Sequence, residues 1–313
     1  MGVNGILNIH KPAGMTSFDV VAAIRRITGE KRVGHGGTLD PLAMGVLPVC
    51  LGRATRVVEY LIGGGKAYCA MVALGVTTDT DDTEGRITAE ADASGITQSQ
   101  FEQTMAGFLG KIQQVPPKYS AIKIGGRKLY ELARAGTEVN IGPRPVEIFS
   151  IKLLCFEAPV AVIEVECSKG TYIRSLARDI GQALGVGGHL HRLVRTRSGA
   201  FSLDDAVTLG DLTLSFEFGY WRSIIYPEDQ ALRNWPAMIV GPERERELLF
   251  GRPIPVGTCQ AELHSVDQRV DTTADKLPDL CAAYGFGGQL IAVLRLDKEA
   301  NLWRPYKVFS RGD

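Results

Sequence analysis

Residues 34–45 read GHGGTLDPLAMG, and an apolar run extends from this stretch through residues 41–50. Asp40 is followed by Pro41, a pair that is typical of a helix N-cap and a first-turn proline. A carboxylate beside several glycines can also approach a substrate closely and act on it as a nucleophile or base. The two interpretations are compatible, and the N-cap is the more common origin of such a pair.

A catalytic role for Asp40 has an electrostatic requirement. The carboxylate would have to stay ionised in an apolar site, which takes a nearby cation. Arg174 lies near the start of a predicted helix over 171–185, whose apolar face points inward. An arginine there lies at the rim or pairs with a buried carboxylate, and a paired arginine would be the cation that Asp40 needs.

Composition bounds the class of protein. The chain has 313 residues, enough for two domains, and its 35 basic and 35 acidic side chains give a net charge of zero. That balance excludes a protein held to nucleic acid by bulk charge, although a local basic patch stays possible. The six cysteines form no CxxC pair, which predicts reduced thiols. Because we find neither a signal peptide nor an apolar run of membrane-spanning length, we expect a cytoplasmic protein.

The order of elements predicts the fold class. Strands and helices alternate without a regular βαβ rhythm, which is typical of an α+β fold. The pattern loosens around residues 226–237, which separates a domain over 1–228 from a smaller one over 236–313. The predicted elements are strands over 5–10 and 66–76, a helix that begins at Thr16 or Ser17 and ends at Gly29, a helix over 97–109, a strand, Gly-Gly turn and helix over 119–136, two strands joined near Ala158-Pro159, and loops over 77–86 and 260–285.

Basic residues cluster in two segments, 110–130 and 189–197, neither of which contains an acid. Such segregation in a neutral chain fits a surface for a polyanion, with phosphates as the partner, or an ordinary solvated surface. His189 and His191 have no carboxylate or cysteine at ligand spacing, so no metal site is predicted. The glycine-rich stretch also lacks both the P-loop and the dinucleotide pattern, which disfavours nucleotide binding.

Five motifs carry a resemblance to a known family. They are NIHKPAGMTSFDVV (8–21), GHGGTLDPLAMGVLPVCLGRATR (34–56), KAYCAMVALGVTTDTDDTEG (66–85), VPPKYSAIKIGGRKLYELARAG (115–136) and CSKGTYIRSLARDIGQALG (167–185). In this order they resemble the TruB type of tRNA pseudouridine-55 synthase, over about residues 5–210. The tail resembles the family's PUA-like RNA-binding module at residues 236–255 and 290–297.

The resemblance implies a fold and a reaction. It implies an α+β catalytic domain with a mixed central β-sheet flanked by helices, followed by a small β-rich PUA-like domain. The implied reaction converts uridine 55 in the T-loop of tRNA to pseudouridine by base flipping, with no cofactor and no metal. The implied partner is the T-stem-loop of tRNA, without an obligatory protein partner, and the implied state is a monomer. A guide-RNA-dependent synthase has a related catalytic domain, but the chain lacks its long basic extensions.

The resemblance also assigns residues. The family's catalytic aspartate falls on Asp40, its base-stacking tyrosine on Tyr68, and the arginine that pairs with the aspartate on Arg174. The substrate-pocket positions fall on His35, Tyr172 and Leu193. Attack on C1′ and proton abstraction at C2′ both remain open as the role of the aspartate, and Tyr68 or a water as the acceptor of the C5 proton. An RNA-binding folding factor without chemistry is the alternative from another functional class.

Overall fold

The structure is a computed structural model, and it describes residues 2–120, 123–124, 126–129, 141–257, 264–265, 268–269 and 279–309. The chain divides into two compact units, Met1–Glu228 and Asp229–Asp313. The first unit ends where the sequence analysis ended the first domain. The second begins at Asp229, so the seven residues before Pro236 belong to it rather than to a separate linker.

The first unit is built from a large sheet and several helices. Its strands are β1 (Gly5–Lys11), β2 (Val33–His35), β3 (Met44–Leu51), β4 (Lys66–Leu74), β5 (Val76–Thr78), β6 (Ile87–Glu90), β7 (Gly110–Gln114), β8 (Lys123–Ile124), β9 (Arg127–Lys128), β10 (Arg144–Glu157), β11 (Val160–Cys167), β12 (Gly188–Ser198), β13 (Phe201–Ser202) and β14 (Ile225–Tyr226). Its described helices of the α type are α1 (Ser17–Thr28), α2 (Val58–Gly63), α3 (Gln98–Ala106), α4 (Ile173–Ala183) and α5 (Leu209–Glu217).

The main sheet has ten strands in the described part of the chain. Eight follow the order β14-β1-β3-β12-β4-β11-β10-β7, while β2 pairs with β3 and β13 with β12. The β3–β12 pair is parallel and the other pairs are antiparallel. Alternate residues of the central strands share one buried cluster with residues of α1, α3, α4 and α5. The mixed central sheet flanked by helices is therefore confirmed.

The N-cap interpretation of Asp40 is wrong. No helix follows this residue, because Pro41 and Leu42 form a turn closed by a hydrogen bond from the Ala43 N–H to the Asp40 carbonyl (3.1 Å), and β3 begins at Met44. β3 lies between β1 and β12 and is buried on both faces. Such a strand shows a continuous apolar run without alternation, so its sequence does not distinguish it from a buried helix.

The acidic loop predicted over 77–86 is only partly a loop. β5 and β6 pair as a two-stranded antiparallel sheet, and the chain between them folds inward. Asp82 is only 4% exposed, and its backbone carbonyl accepts a hydrogen bond from the Thr78 hydroxyl (2.7 Å). Polar composition alone concealed this buried carboxylate.

The basic segment 189–197 is not a simple surface for polyanions. Arg195 is fully buried and His189 is 8% exposed, whereas Arg192 is exposed. Arg197 forms an ion pair with Glu166 (2.9 Å). The segment lies in β12, where successive side chains point to opposite faces, and two register irregularities in its pairing with β4 alter the alternation.

The second unit is small and rich in strands. Its elements are β15 (Ala237–Val240), α6 (Pro242–Leu249), β16 (Ile254–Pro255), β17 (His264–Ser265), β18 (Gln268–Arg269), β19 (Leu280–Gly285), β20 (Leu290–Asp297) and β21 (Leu302–Val308). Five of them form a sheet in the order β15-β19-β20-β21-β16. The loop predicted over 260–285 is wrong for β19, which pairs with both β15 and β20. Its sequence, LCAAYG, is rich in small residues and lacks the β-branched residues that usually mark a strand.

Part of the basic segment over 110–130 lies outside the described residues. Lys111 and Lys118 are exposed, and β8 pairs with β9. Tyr130 and the helix predicted after the Gly-Gly turn fall outside the described part of the chain. The remaining predictions for the first unit agree with α1, α3, α4 and β4, and with the β10–β11 pair, within a few residues at each end.

A substitution at Gly45 tests the close contact between the parallel strands β3 and β12, which lies just after the Asp40 turn. Its φ is +100°, and a Cβ there would overlap the backbone carbonyl oxygen of Arg195 and lie 2.9 Å from its nitrogen. We expect Gly45→Ala to lower the free energy of unfolding by at least ~2 kcal/mol, because backbone strain and overpacking add. The matched control is Gly63→Ala, at the end of α2, where an added Cβ meets open space. Equal thermal unfolding midpoints for the two variants would contradict the assignment.

Candidate active site

The loop over residues 37–41 is held on one side by α1 and β1. The Ser17 hydroxyl accepts a hydrogen bond from the Leu39 N–H (2.8 Å) and donates one to the Leu39 carbonyl (3.1 Å). The fully buried Lys11 donates through Nζ to the Pro41 carbonyl (3.2 Å). Burial lowers the pKa of Lys11 to about 8. These bonds fix the backbone on both sides of Asp40.

Arg195 holds the same loop from the sheet. Its guanidinium donates hydrogen bonds to the carbonyls of Gly37 (3.1 Å), Thr38 (3.4 Å) and Val46 (2.7 Å). Gly37 has a φ of +128°, a conformation that glycine adopts without strain. A planar guanidinium with donors in fixed directions suits several carbonyls of one bend. The sheet thereby sets the direction from which Asp40 enters the site.

Arg174, in the first turn of α4, joins three parts of the chain. Its Nη2 lies 2.9 Å from an Asp40 carboxylate oxygen, and its Nη1 lies 3.3 Å from an oxygen of Asp82. The same guanidinium donates to the carbonyls of Thr80 (3.1 Å) and Tyr119 (2.8 Å). Its side chain is 6% exposed. The ion pair between Asp40 and Arg174 that the sequence analysis inferred is therefore present.

The pKa of the Asp40 carboxyl is affected by its surroundings in opposite directions. Its side chain is 36% exposed, so the carboxylate is accessible although the loop around it is packed. Burial raises the pKa of Asp40, the Arg174 charge opposes that rise, and the nearby charge of Asp82 adds to it. A carboxylate that is desolvated and paired is suited to nucleophilic or general-base chemistry.

Asp82 is a second carboxylate on the same guanidinium, and the sequence analysis missed it. One of its oxygens accepts hydrogen bonds from the Thr80 hydroxyl (2.6 Å) and the Glu84 N–H (3.1 Å). The available signal was its place in the motif segment 66–85, but an acidic loop of this composition is normally solvated. Only the hairpin of β5 and β6 brings Asp82 inward.

A cavity of about 300 Å³ opens beside this ion pair. Asp40 and Arg174 line one side, and Tyr68 from β4 and Leu193 from β12 contribute to the wall formed by the sheet. Tyr68 is 6% exposed and lies beside Arg195. Burial raises the pKa of Tyr68 to about 12, so its hydroxyl stays protonated at neutral pH. The structure thus brings these four residues, and Tyr172 as well, around one pocket, which makes five of the six predicted site residues.

Tyr172 lines the same cavity, at the residue before α4. Its backbone is fixed by Gln114, which accepts from the Tyr172 N–H (2.8 Å) and donates to the Tyr172 carbonyl (3.1 Å). Burial raises the pKa of the Tyr172 hydroxyl. The start of α4 is thereby tied to the end of β7, directly before the segment that carries Tyr119.

His35 is placed differently from the other predicted residues. It ends β2 and is half-buried, but it is not among the residues that line the cavity. Its Nδ1 accepts a long hydrogen bond from the Gly37 N–H (3.4 Å). Burial, assisted by the Arg195 charge, lowers the pKa of His35, which keeps the ring neutral at neutral pH.

The described residues contain neither a candidate metal-binding group nor a candidate membrane-spanning helix. Within the described ranges, no three or more His, Cys, Asp or Glu side chains are grouped so that they could hold a metal ion. None of the described helices is both long and apolar enough to cross a membrane.

The comparisons with known proteins give first the class of the protein. A sequence model described as the N-terminal domain of TruB family pseudouridylate synthases matches residues 25–173, and one described as the C-terminal domain of tRNA pseudouridylate synthase B matches residues 174–233. These domains define an isomerase, an enzyme that rearranges uridine within RNA.

Curated relatives then give the family. A tRNA pseudouridine synthase B of Symbiobacterium thermophilum is 50% identical over 80% of this chain and 82% of its own length. Another, of Dehalococcoides mccartyi, is 41% identical over 99% of this chain and 97% of its own length. The chain belongs to the TruB family of pseudouridylate synthases.

Solved structures share the fold along most of the chain. An H/ACA RNP bound to a substrate RNA containing 2′-deoxyuridine includes a chain with a TM-score of 0.74 and 30% identity, covering 99% of this chain and 86% of that one. A Cbf5-Nop10-Gar1 complex gives a TM-score of 0.74 and 31% identity, over 98% and 84%.

Asp40 and Asp82 pair with the same guanidinium, so removal of the Asp82 charge should change the pKa of Asp40. Because the Asp82 charge raises that pKa, we expect Asp82→Asn to lower it, so that Asp40 stays ionised to lower pH. An asparagine oxygen can still accept from Thr80 and Glu84. The measurement is a ¹³C NMR titration of the Asp40 carboxyl, with Asp92→Asn on the exposed surface as the control. An unchanged or higher Asp40 pKa in Asp82→Asn would contradict the proposed coupling.

Proposed function

We propose that this enzyme converts uridine 55 in the T-loop of tRNA to pseudouridine. The observation that carries the proposal is the Asp40–Arg174 ion pair beside a cavity that Tyr68 also lines. Relatives named tRNA pseudouridine synthase B, similar over nearly the whole chain, support tRNA as the substrate. In the reaction the N1–C1′ bond breaks, the C5–C1′ bond forms, and the C5 proton is replaced by one on N1. Atoms balance without a cofactor.

Asp40 is the residue that acts at the ribose. Its carboxylate either attacks C1′ or removes the proton at C2′, and both routes need the ionised form. Arg174 supports that form against the desolvation of the site. Because the loop over 37–41 is bound to Ser17, Lys11 and Arg195, little reorganisation is needed to bring the carboxylate to the sugar.

Tyr68 and Leu193 form the surface on which the uracil lies. The target base is stacked in the tRNA elbow, so it must be flipped out, at a cost of a few kcal/mol. Stacking on an aromatic ring returns about 1–3 kcal/mol of this. A Tyr68 hydroxyl with a pKa of about 12 is a poor base at neutral pH. The acceptor of the C5 proton is then a water or the small ionised fraction of Tyr68.

His35 and Tyr172 have supporting roles in this proposal. His35 lies on the glycine-rich stretch next to the cavity rather than in its lining, and its neutral ring suits the space that the flipped base leaves in the RNA stack. Tyr172 bounds the cavity on the side of Asp40, where its pKa responds to the Asp40 charge. The exposed Lys111 and Lys118, and Arg192 on β12, are suited to the phosphates of the T-stem.

The remaining parts of the proposal concern the oligomeric state, the second unit, the partners and the cellular location. We propose that the enzyme acts as a monomer on bare tRNA, and that its second unit is a PUA-like RNA-binding domain. The related solved chains are named as parts of an H/ACA RNP and of a Cbf5-Nop10-Gar1 complex, so the need for partners is a direct question. A cytoplasmic location agrees with the free thiols of the described cysteines, Cys50, Cys69, Cys155, Cys167 and Cys281.

The central experiment maps pseudouridine in unmodified tRNA after incubation with the purified protein alone. We expect product at one position of the T-loop. Folded protein that binds the tRNA but yields no product would overturn the enzymatic proposal and favour an RNA-folding factor. Product that forms only after a guide RNA or partner proteins are added would overturn stand-alone action.

Asp40→Asn separates chemistry from binding. The substitution keeps the size of the side chain and removes its charge, so we expect turnover to fall by at least ~10³-fold because an essential nucleophile or base is lost. Filter binding should give a tRNA affinity within about 5-fold of wild type, since phosphate contacts dominate affinity. Asp92→Asn is the control on the exposed surface. Normal turnover in Asp40→Asn would show that another group performs the reaction.

Two substitutions at Tyr68 distinguish the contribution of the aromatic ring from that of the hydroxyl. We expect Tyr68→Leu to lower kcat/KM by about 5- to 150-fold through loss of stacking of about 1–3 kcal/mol. Tyr68→Phe keeps the ring and should bind the RNA as wild type does. Equal loss of RNA affinity in both variants would show that the hydroxyl, and not stacking, is what binds the base.

A further inference from the structure

The cavity contains a polar group that the mechanism above does not use. Ser120 is 4% exposed and lines the cavity. Its hydroxyl is buried and has no hydrogen-bond partner among the described residues. It lies near enough to the Tyr172 hydroxyl to influence its pKa, but the two do not meet hydrogen-bond geometry.

A buried hydroxyl without a partner costs free energy, and such groups in native proteins call for an explanation. At Ser120 an alanine would fit the same space without that cost. A buried hydroxyl on a residue of the cavity lining is explained if the substrate itself supplies the hydrogen bond when it binds. Ser120 therefore marks a point at which a polar substrate atom is bound.

The position of Ser120 identifies which part of the substrate this is. The preceding residue, Tyr119, accepts a hydrogen bond through its carbonyl from Arg174 Nη2 (2.8 Å), the same nitrogen that lies 2.9 Å from Asp40. Ser120 thus lies on the Asp40 side of the cavity, whereas Tyr68 and Leu193 belong to the sheet side. If Asp40 acts at C1′ or C2′, the Asp40 side holds the sugar.

We propose that the Ser120 hydroxyl hydrogen-bonds the ribose 2′-hydroxyl of the target nucleotide. The inference rests on the proposed function, because it takes the sugar to lie at Asp40. A 2′-hydroxyl both donates and accepts, as serine does, and it is the group by which a protein distinguishes RNA from DNA at one nucleotide. Ser120 is then a specificity-determining residue for ribose, separate from the groups that make and break bonds.

The test is a double-mutant cycle between protein and RNA. Binding is measured for T-arm stem-loops that carry uridine or 2′-deoxyuridine at the target position, in an Asp40→Asn background that blocks turnover. We expect Ser120→Ala to weaken binding of the uridine RNA by roughly 3- to 10-fold, the effect of one neutral hydrogen bond. Binding of the 2′-deoxyuridine RNA should not change. The inference would be overturned if Ser120→Ala weakened binding of both RNAs equally, or if it left binding of both RNAs unchanged.

Ser198→Ala is the matched control. Ser198 ends β12, is 1% exposed and also has a buried hydroxyl without a partner in the described chain, but it does not line the cavity. We expect it to bind both RNAs as the background does. Ser120→Ala should unfold at the same temperature as its parent or higher, since an unsatisfied group is removed. A lower unfolding temperature would indicate a structural role and contradict the inference.

The otherwise wild-type protein is assayed on the uridine stem-loop in parallel. Product formation together with equal effects of Ser120→Ala on the two RNAs overturns only the role of Ser120. Absence of product with folded, RNA-binding protein overturns the proposed function itself. The two failures are therefore distinguishable.

Discussion

The site depends on one buried cation that serves two carboxylates. Arg174 is 6% exposed at its side chain and bridges Asp40 and Asp82. Burying charges costs more than one pairing returns unless further hydrogen bonds are made. The carbonyls of Thr80 and Tyr119 supply two of them, whereas the Arg174 Nε has no hydrogen-bond partner among the described residues. The two carboxylates are not equivalent. Asp82 is buried and held by its own loop, whereas Asp40 keeps an accessible side chain. The Arg174 charge thus opposes the rise in pKa that burial causes at a carboxylate that can still reach a substrate.

The site is assembled from segments that are far apart in the sequence of the first unit. The partners of Arg174 come from the Asp40 loop, from the hairpin of β5 and β6, and from the segment after β7, while Arg174 itself begins α4. No two of these are neighbours in sequence, so the guanidinium finds its ligands only when the sheet and α4 have assembled. Gln114 adds to this by fixing the backbone of Tyr172 at the start of the helix. The ion pair between Asp40 and Arg174 therefore depends on the folded first unit.

Sequence reasoning reached part of this arrangement for a physical reason. A carboxylate in an apolar setting needs a cation, which pointed to an arginine on an inward-facing helix, and the motifs then assigned Asp40, Tyr68 and Arg174. It could not reach Asp82 or Arg195, because one lies in an acidic stretch and the other in a basic one, both of which are normally solvated. It also mistook the Asp40–Pro41 turn for a helix start, because a strand buried on both faces, such as β3, shows no period. Burial of charge is decided by tertiary neighbours that local composition does not reveal.

Arg195 shows why a chain with no net charge can still have a cationic site. Its guanidinium is fully buried, and the hydrogen bonds described for it go to backbone carbonyls, which carry no net charge to cancel its own. Burial is the main cause of the lowered pKa of Lys66 and of His35, and the Arg195 charge adds to it in both. The same charge opposes the rise in the pKa of Tyr68 that burial causes. A low-dielectric wall weakens such a field less than water would. The cavity lining also has more basic than acidic side chains, although the chain as a whole is balanced: Lys66, Lys169, Arg174 and Arg195 against Asp40. A cavity lined in this way attracts an anionic group more strongly than a net charge of zero would suggest.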